Sequence, residues 1–182
     1  MGGKVEVLLS FVVECIRYGF VAATLALVVF RPALESSPIY LPVLLNTNNL
    51  LRLIGSVFFF AGMLYTVLAA WYSQSEFAEY AIANRLAGPF WMYALVPFLA
   101  ELLVLVMLAS RQRRALLRYS IAIAAIEAVF MLFSVIPAIV FVAQTAWNMV
   151  AVAPYLAVLA KALLYLFVLG LACVAKLKFR TV

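Results

Sequence analysis

The 182-residue chain has too few polar side chains to cover a water-soluble domain, because 69% of its residues are hydrophobic and only 11% are charged. Its mean hydropathy of +1.18 indicates an integral membrane protein, solvated mainly by lipid. The formal net charge of +6 does not indicate a nucleic-acid partner, because the cationic residues cluster at the ends of apolar segments, where they set membrane topology.

Five apolar segments follow one another, each close to the roughly 20 residues that cross a bilayer as a helix. They predict transmembrane helices over residues 5–30, 49–72, 89–110, 117–142 and 154–175, within a single all-α domain spanning residues 1–182. The first segment has no clear small-residue cleavage site, so we expect it to be retained rather than removed as a signal peptide. The polar run Asn-Thr-Asn-Asn at residues 46–49 is suited to capping the second helix.

The residue types of the chain argue against a redox centre of its own. The sequence contains no histidine, so a haem held by two histidines cannot form. Cys15 and Cys173 lie in separate apolar segments without metal-ligand spacing, which favours small buried side chains. We therefore expect no catalytic residue, no metal site and no tightly bound cofactor in this chain.

The distribution of positive charge predicts the orientation in the membrane. With five spans the termini lie on opposite sides, and nine cationic residues fall on one side against two, Lys4 and Arg85, on the other. The nine are Arg31, Arg52, Arg111, Arg113, Arg114, Arg118, Lys176, Lys178 and Arg180. The positive-inside rule then predicts a periplasmic N-terminus and a cytoplasmic C-terminus.

Several charged residues lie well inside the predicted spans, where an unpaired charge costs about 2.5 to 3.5 kcal/mol on insertion scales; they are Glu14, Arg17, Glu101, Glu127 and Lys161. Glu14 and Arg17 are three residues apart, which predicts an ion pair within one helix. Glu101 and Glu127 lie at similar depth, roughly 10 residues from the basic turn between their helices, and so face each other or a partner subunit. Lys161 is close enough to the outer face to extend its ammonium group to the interface.

These charges have two interpretations. As a functional element, Glu14, Arg17, Glu101 and Glu127 would belong to a proton path. As a structural element, they would be neutralised or ion-paired contacts between helices. The structural interpretation is favoured, because a proton path needs relays at several depths and the chain has neither histidine nor aspartate.

The connection between the second and third spans carries a pattern of aromatic and polar residues between apolar runs. In chain order these residues are Trp71, Tyr72, Ser73, Asn84, Arg85, Gly88 and Pro89. Residues 74–86 mix apolar and charged side chains, which suits a short helix at the outer membrane interface. This linker resembles that of the NrfD-like, or polysulfide reductase type, membrane subunits, above all the larger one of bacterial alternative complex III.

The resemblance covers most of the chain and corresponds to the C-terminal half of the larger subunit. It implies a four-helix bundle plus one closing helix, in a bacterial inner membrane with the linker on the periplasmic side. In the family the helix before the linker opens with a histidine, an acidic or amide pair and a basic residue. The matching positions here are Asn46, Asn48, Asn49 and Arg52, so the histidine is lost. The family's quinol pocket is associated with an N-terminal bundle that has no counterpart in this chain.

The resemblance therefore implies an accessory, structural subunit of a quinol-oxidising electron-transfer complex, not an enzyme by itself. The implied partners are NrfD-like membrane subunits, multihaem cytochrome c and iron–sulfur subunits, and membrane lipids, with lipid or quinone held at a subunit interface as an open alternative. Two other functions remain. One is a quinone-binding or proton-translocating subunit that uses Glu101 and Glu127. The other is an independent small transporter, which the lack of visible inverted repeats disfavours.

Overall fold

The computed structural model describes residues 2–35, 39–88, 91–144 and 153–178, and the regular structure within these ranges is entirely α-helical. The helices are α1 (Gly2–Val29), α2 (Arg31–Glu35), α3 (Tyr40–Ser73), α4 (Glu76–Ala87), α5 (Trp91–Leu108), α6 (Arg111–Arg114), α7 (Leu117–Gln144) and α8 (Ala153–Lys178). The prediction of an all-α protein is confirmed.

Three of these helices are long and apolar enough to cross a membrane: α1 over Lys4–Val29, α3 over Tyr40–Ser73 and α8 over Leu156–Lys178. Within α5 the apolar stretch is shorter, at Leu95–Leu108. Helices of this length and composition indicate a membrane protein. The count of five crossings stays a prediction.

The second long helix begins earlier than the sequence predicts, at Tyr40 rather than at residue 49. Pro42 is compatible with this start, because backbone N–H groups in the first turn have no partner within the helix. The polar run at residues 46–49 consequently lies inside α3, and the prediction that it caps the helix is wrong. The early start also moves Arg52 from the membrane edge to the helix interior.

The linker between α3 and α5 forms the predicted short helix, α4. Gln74 ends α3 in the left-handed backbone region, with φ of 49°, and its N–H donates to Trp71 O at 3.3 Å. At the other end, the N–H of Gly88 donates to Asn84 O at 3.0 Å. A Cβ atom at residue 88 would lie 2.4 Å from that same oxygen, so the close approach of the two backbones requires glycine.

Helix α1 packs along both α3 and α8, and two glycines permit the close approach. A Cβ atom at Gly19 would lie 2.1 Å from Tyr165 Cβ on α8. One at Gly55 on α3 would lie 2.6 Å from Ile16 Cγ2. The buried apolar core beside the basic turn α6 consists of Phe20, Ala23, Val104, Leu108, Ile123, Ala124, Tyr165, Leu169 and Cys173. Both cysteines are free and buried, as their interpretation as small core residues predicts.

Candidate functional site

The interior of the bundle contains a group of charged residues centred on Arg52, which is fully buried. Its Nη2 donates to Glu101 Oε1 at 2.9 Å and also to Glu127 Oε1, while its Nη1 donates to Ser56 Oγ at 2.9 Å. Glu101 and Glu127 are only 1% and 3% exposed. We call these four residues, together with Arg17, the central cluster.

Arg17 closes the central cluster from the side of α1. Its Nε and Nη2 donate to Glu101 Oε1 at 3.0 and 2.5 Å, and its Nε lies 3.5 Å from Glu127 Oε2. The guanidinium carbon also lies 5.4 Å from the centre of the Phe59 ring, a cation–π distance. The Arg17 side chain is 24% exposed, so it is the part of the cluster nearest the surface.

Four helices contribute to the central cluster: α1, α3, α5 and α7 each supply at least one side chain. Arg52 and Ser56 are four residues apart and therefore project from the same face of α3. Ser56 Oγ donates to Glu101 Oε2 at 2.6 Å, so both oxygens of that carboxylate have partners. Among the described residues, Arg52 Nε is the one buried side-chain polar atom without a hydrogen bond.

The charges of the central cluster balance, because two arginines face two glutamates. A buried charge is tolerated when it is paired, and each charged side chain of the cluster lies within 4 Å of an opposite charge. The arrangement therefore ties four helices together. It does not leave an unpaired carboxylate that could exchange protons freely.

A second set of buried polar side chains, which we call the amide layer, lies along α3 next to the central cluster. Asn48 Nδ2 donates to Thr24 Oγ1 at 3.2 Å, and Asn48 Oδ1 accepts from the Tyr165 hydroxyl at 2.7 Å. Asn49 and Ser120 exchange two hydrogen bonds, of 2.8 and 3.0 Å. The amide layer joins α3 to α1, α7 and α8.

A further ion pair lies on the outside of the bundle, where Lys161 Nζ on α8 donates to Glu14 Oε2 on α1. The ammonium nitrogen also lies 5.6 Å from the centre of the Phe11 ring and 5.9 Å from that of Tyr18. The Glu14 side chain is 43% exposed. We call Glu14 and Lys161 the outer ion pair.

The structure pairs the intramembrane charges differently from the sequence prediction. Glu14 and Arg17 do not pair with each other: Glu14 bonds to Lys161 on α8, and Arg17 bonds to Glu101 on α5. Three helical residues turn the chain by about 300°, so the two side chains diverge by about 60° and reach different neighbours. Lys161, for which we predicted extension to the interface, binds the carboxylate instead. Glu101 and Glu127 do meet, with Arg52 between them.

Arg52 is the residue of the central cluster that the sequence prediction placed wrongly, among the cations at the membrane edge. Its burial removes it from that set, so the asymmetry falls from nine-to-two to eight-to-two and still favours the same orientation. A signal was present in the sequence. Arg52 follows Asn48 by four residues and Asn49 by three, and Ser56 follows Arg52 by four, which places all of these residues on one side of a helix.

The linker residues lie apart from these contacts at the end of α3 and along α4. Trp71 and Tyr72 are strongly exposed, and Ser73 Oγ donates to Ala70 O at 2.8 Å. Asn84 accepts the capping hydrogen bond from Gly88. The side chain of Arg85, and all of Pro89, lie outside the described residues.

Comparison with protein-family models, with curated proteins and with solved structures finds no match to this chain. The resemblance to NrfD-like subunits, predicted from the linker and from the polar positions of α3, therefore stays a prediction. Within the described residues no group of three or more histidine, cysteine, aspartate or glutamate side chains is placed to hold a metal ion.

Proposed function

We propose that this chain is an accessory subunit of a larger membrane complex, and that the complex is a bacterial quinol-oxidising electron-transfer assembly similar to alternative complex III. The observation that carries the proposal of a subunit is the outer ion pair. Its charges lie on the surface of the bundle, at a depth where lipid would otherwise surround them.

The depth follows from helix geometry. Glu14 lies about 10 residues into the span Lys4–Val29, or roughly 15 Å at 1.5 Å per residue. That is near the middle of a hydrocarbon layer about 30 Å thick. Charged side chains at this depth almost always face a bundle interior or a water-filled cavity. The 43% exposure of the Glu14 side chain therefore favours a neighbouring subunit that covers this face.

The central cluster supports a structural role for the interior. Its two carboxylates are held by two arginines and a serine, and arginine keeps its proton at any physiological pH. A general acid or base must take up and release a proton near the operating pH. A closed cluster of this kind is better suited to fixing the arrangement of four helices.

The choice of complex rests on the family resemblance. The aromatic exit from α3, the Asn84-Arg85 and Gly88-Pro89 pairs of the linker and the amide-then-arginine order in α3 resemble the family's sequence pattern. On this proposal the chain packs against NrfD-like membrane subunits, in a complex that also contains multihaem cytochrome c and iron–sulfur subunits. The N-terminus and α4 face the periplasm and the C-terminus faces the cytoplasm.

Cysteine-accessibility labelling of intact cells at positions 79 and 113 tests this orientation. Labelling from outside at position 113 but not at position 79 would contradict the proposed orientation and support the opposite one.

Co-purification tests the proposal most directly. The tagged full chain is extracted from its native membrane in mild detergent, and its companions are identified by mass spectrometry. We expect multihaem cytochrome c and iron–sulfur proteins in fixed proportion to the chain. Recovery of the chain alone would contradict the proposal and favour an independent transporter. The purified sample must then lack multihaem cytochrome c and iron–sulfur proteins although the detergent extract contains them.

The alternative of a quinone-binding or proton-translocating subunit has one observation in its favour. Arg17 is partly exposed and bonds directly to Glu101, so a ligand or water at the surface is one side chain away from the buried carboxylate. Glu127→Gln separates the two functions. The accessory role predicts quinol oxidation and proton release within about twofold of wild type per assembled complex, roughly 0.4 kcal/mol.

The matched variant is Glu127→Lys, which adds a cation beside Arg52 and should reduce assembly. Normal yield of the Glu127→Gln complex with loss of most quinol-dependent activity would place the carboxylate in the mechanism. That result would favour the alternative function.

A further inference from the structure

A small cavity lies at the basic end of the bundle, where the start of α3, the turn α6 and the end of α8 meet. Its volume is about 150 Å³, and it is lined by Pro42, Val43, Asn46, Arg111, Ala115 and Lys176. Ligand pockets for drug-sized molecules measure about 300 to 1,000 Å³. The cavity is therefore suited to one compact chemical group rather than to a complete ring-bearing molecule such as a quinone.

The polar lining of the cavity selects for negative charge. The Arg111 side chain makes no ion pair or hydrogen bond within the described part of the chain. Lys176 on α8, which has an interaction of its own, adds a second positive charge to the lining. Asn46 Oδ1 accepts a 3.4 Å hydrogen bond from Arg114 Nε, which leaves the Asn46 amide nitrogen as a donor. Glu35, the acidic residue nearest in sequence to this end of α3, is already paired with Arg31.

A row of exposed apolar side chains on α3 begins one turn beyond the cavity residue Asn46. Asn46 is followed at intervals of four residues by Leu50, Ile54 and Phe58, all of which are exposed apolar side chains. Residues four apart lie one above the other along a helix. An apolar track on α3 thus leads from the cavity towards the middle of the span.

We propose that this cavity binds the phosphate group of an anionic phospholipid, whose acyl chains lie along the apolar track of α3. Arg111 and Lys176 supply the charge, and the Asn46 amide supplies a hydrogen bond to a phosphate oxygen. Basic pockets between helices at the membrane boundary bind lipid head groups in this way. The site does not depend on the proposed electron-transfer complex, because all its contacts come from this chain.

The test compares two charge-matched double variants of the full chain in mild detergent. Arg111→Gln/Lys176→Gln removes both cations of the cavity. Arg118→Gln/Lys178→Gln removes the same charge from the same end, at positions that do not line the cavity. Each protein is incubated with phosphatidylglycerol or with phosphatidylcholine of identical acyl chains, and retained lipid is counted by native mass spectrometry. We expect the cavity variant to retain at least fivefold less phosphatidylglycerol than wild type, and the control variant to retain the wild-type amount.

A ligand that binds only the folded state also raises the unfolding temperature. Phosphatidylglycerol should therefore stabilise wild type and the control variant more than phosphatidylcholine does, and inorganic phosphate at millimolar concentration should neither stabilise them nor displace the lipid. If extraction of the double variant is poor, Arg111→Gln alone should retain less than half of the phosphatidylglycerol. Equal loss in the control variant, equal retention of phosphatidylcholine, or displacement by inorganic phosphate would each overturn the proposal.

Discussion

The central cluster and the outer ion pair use the same chemistry in different surroundings. Both join oppositely charged side chains from different helices. In the central cluster the carboxylates of Glu101 and Glu127 are almost completely buried. In the outer ion pair the Glu14 side chain is 43% exposed. The cluster is completed by the chain itself, whereas the outer pair is left partly exposed, and on the proposed function a neighbouring subunit covers it.

This difference separates two kinds of stability. Removing one member of a buried charge pair leaves an uncompensated charge and is strongly destabilising. Removing both members of a pair keeps the charges balanced and is often neutral. We therefore expect the central cluster to govern folding of the isolated chain and the outer ion pair to govern assembly.

The largest expected effect is that of Arg52→Leu. This change removes the arginine that bridges Glu101 and Glu127, so two carboxylates are left with Arg17 alone. We expect a loss of about 3 to 5 kcal/mol in the free energy of unfolding, measured by titrating the purified chain with a denaturing detergent. Arg118→Leu, at an exposed position, is the control and should stay within about 0.5 kcal/mol of wild type.

A second substitution sharpens this result. Adding Glu127→Gln to Arg52→Leu restores the balance of charge, since Arg17 and Glu101 remain paired. The double variant should be more stable than Arg52→Leu alone, a coupling that a double-mutant cycle measures. Simple additivity of the two changes would show that charge balance does not govern the cluster.

The next largest effect is expected at the close contact between Gly19 on α1 and Tyr165 on α8, the two helices that the outer ion pair joins. Gly19→Ala places a Cβ atom 2.1 Å from Tyr165 Cβ in the present backbone, so the helices must separate. We expect a destabilisation of about 1 to 3 kcal/mol in the same unfolding titration. Gly170→Ala is the matched control, because in the described part of the chain no atom beyond the local backbone of α8 lies within 4 Å of the added carbon. It should be neutral or slightly stabilising, since alanine favours helix. Equal behaviour of the two variants would mean that close packing at residue 19 is unimportant.

Much of the fold could be predicted from the sequence because long apolar runs have few structural solutions. The limits of α5 and α7 agree with the predicted spans to within two residues at each end. The early start of α3 could not be found in the same way. Pro42 and the four polar residues that follow it are typical of a loop or a cap, and their inclusion in the helix depends on tertiary hydrogen bonds from Asn48 and Asn49.

The site was harder to predict, because partners in other helices depend on helix rotation. The equal depth of Glu101 and Glu127 could be counted from the basic turn, and the structure brings the two together. The partners of Glu14 and Arg17 could not be obtained by counting. Both residues lie on α1, and which neighbour each reaches is set by the contacts of α1 with α3 and α8.

A smaller effect is expected where the amide layer meets α8. Tyr165→Phe removes the hydroxyl that donates to Asn48 Oδ1 at 2.7 Å and lies 3.2 Å from Asn48 O. The packing at Gly19 is kept, because the ring remains. A buried acceptor without its donor costs about 1 to 2 kcal/mol, measured again by unfolding. Tyr72→Phe, at an exposed position, should have no measurable effect. A loss as large as that of Arg52→Leu would mean that the hydroxyl does more than satisfy Asn48.

The smallest effect on the isolated chain is expected from removal of the whole outer ion pair. Glu14→Gln/Lys161→Met keeps the net charge and the approximate side-chain lengths, and the close contact of Gly19 with Tyr165 continues to hold α1 against α8. The free energy of unfolding should change by less than about 1 kcal/mol. Recovery of companion subunits from native membrane should nevertheless fall severalfold, because on the proposed function the partner's surface is matched to the two charges that it covers. Lys161→Met alone should destabilise the chain more than the double variant, since it leaves Glu14 unpaired in the membrane. Full recovery of companions with the double variant would show that this face is not the interface, and would remove the main argument for a subunit.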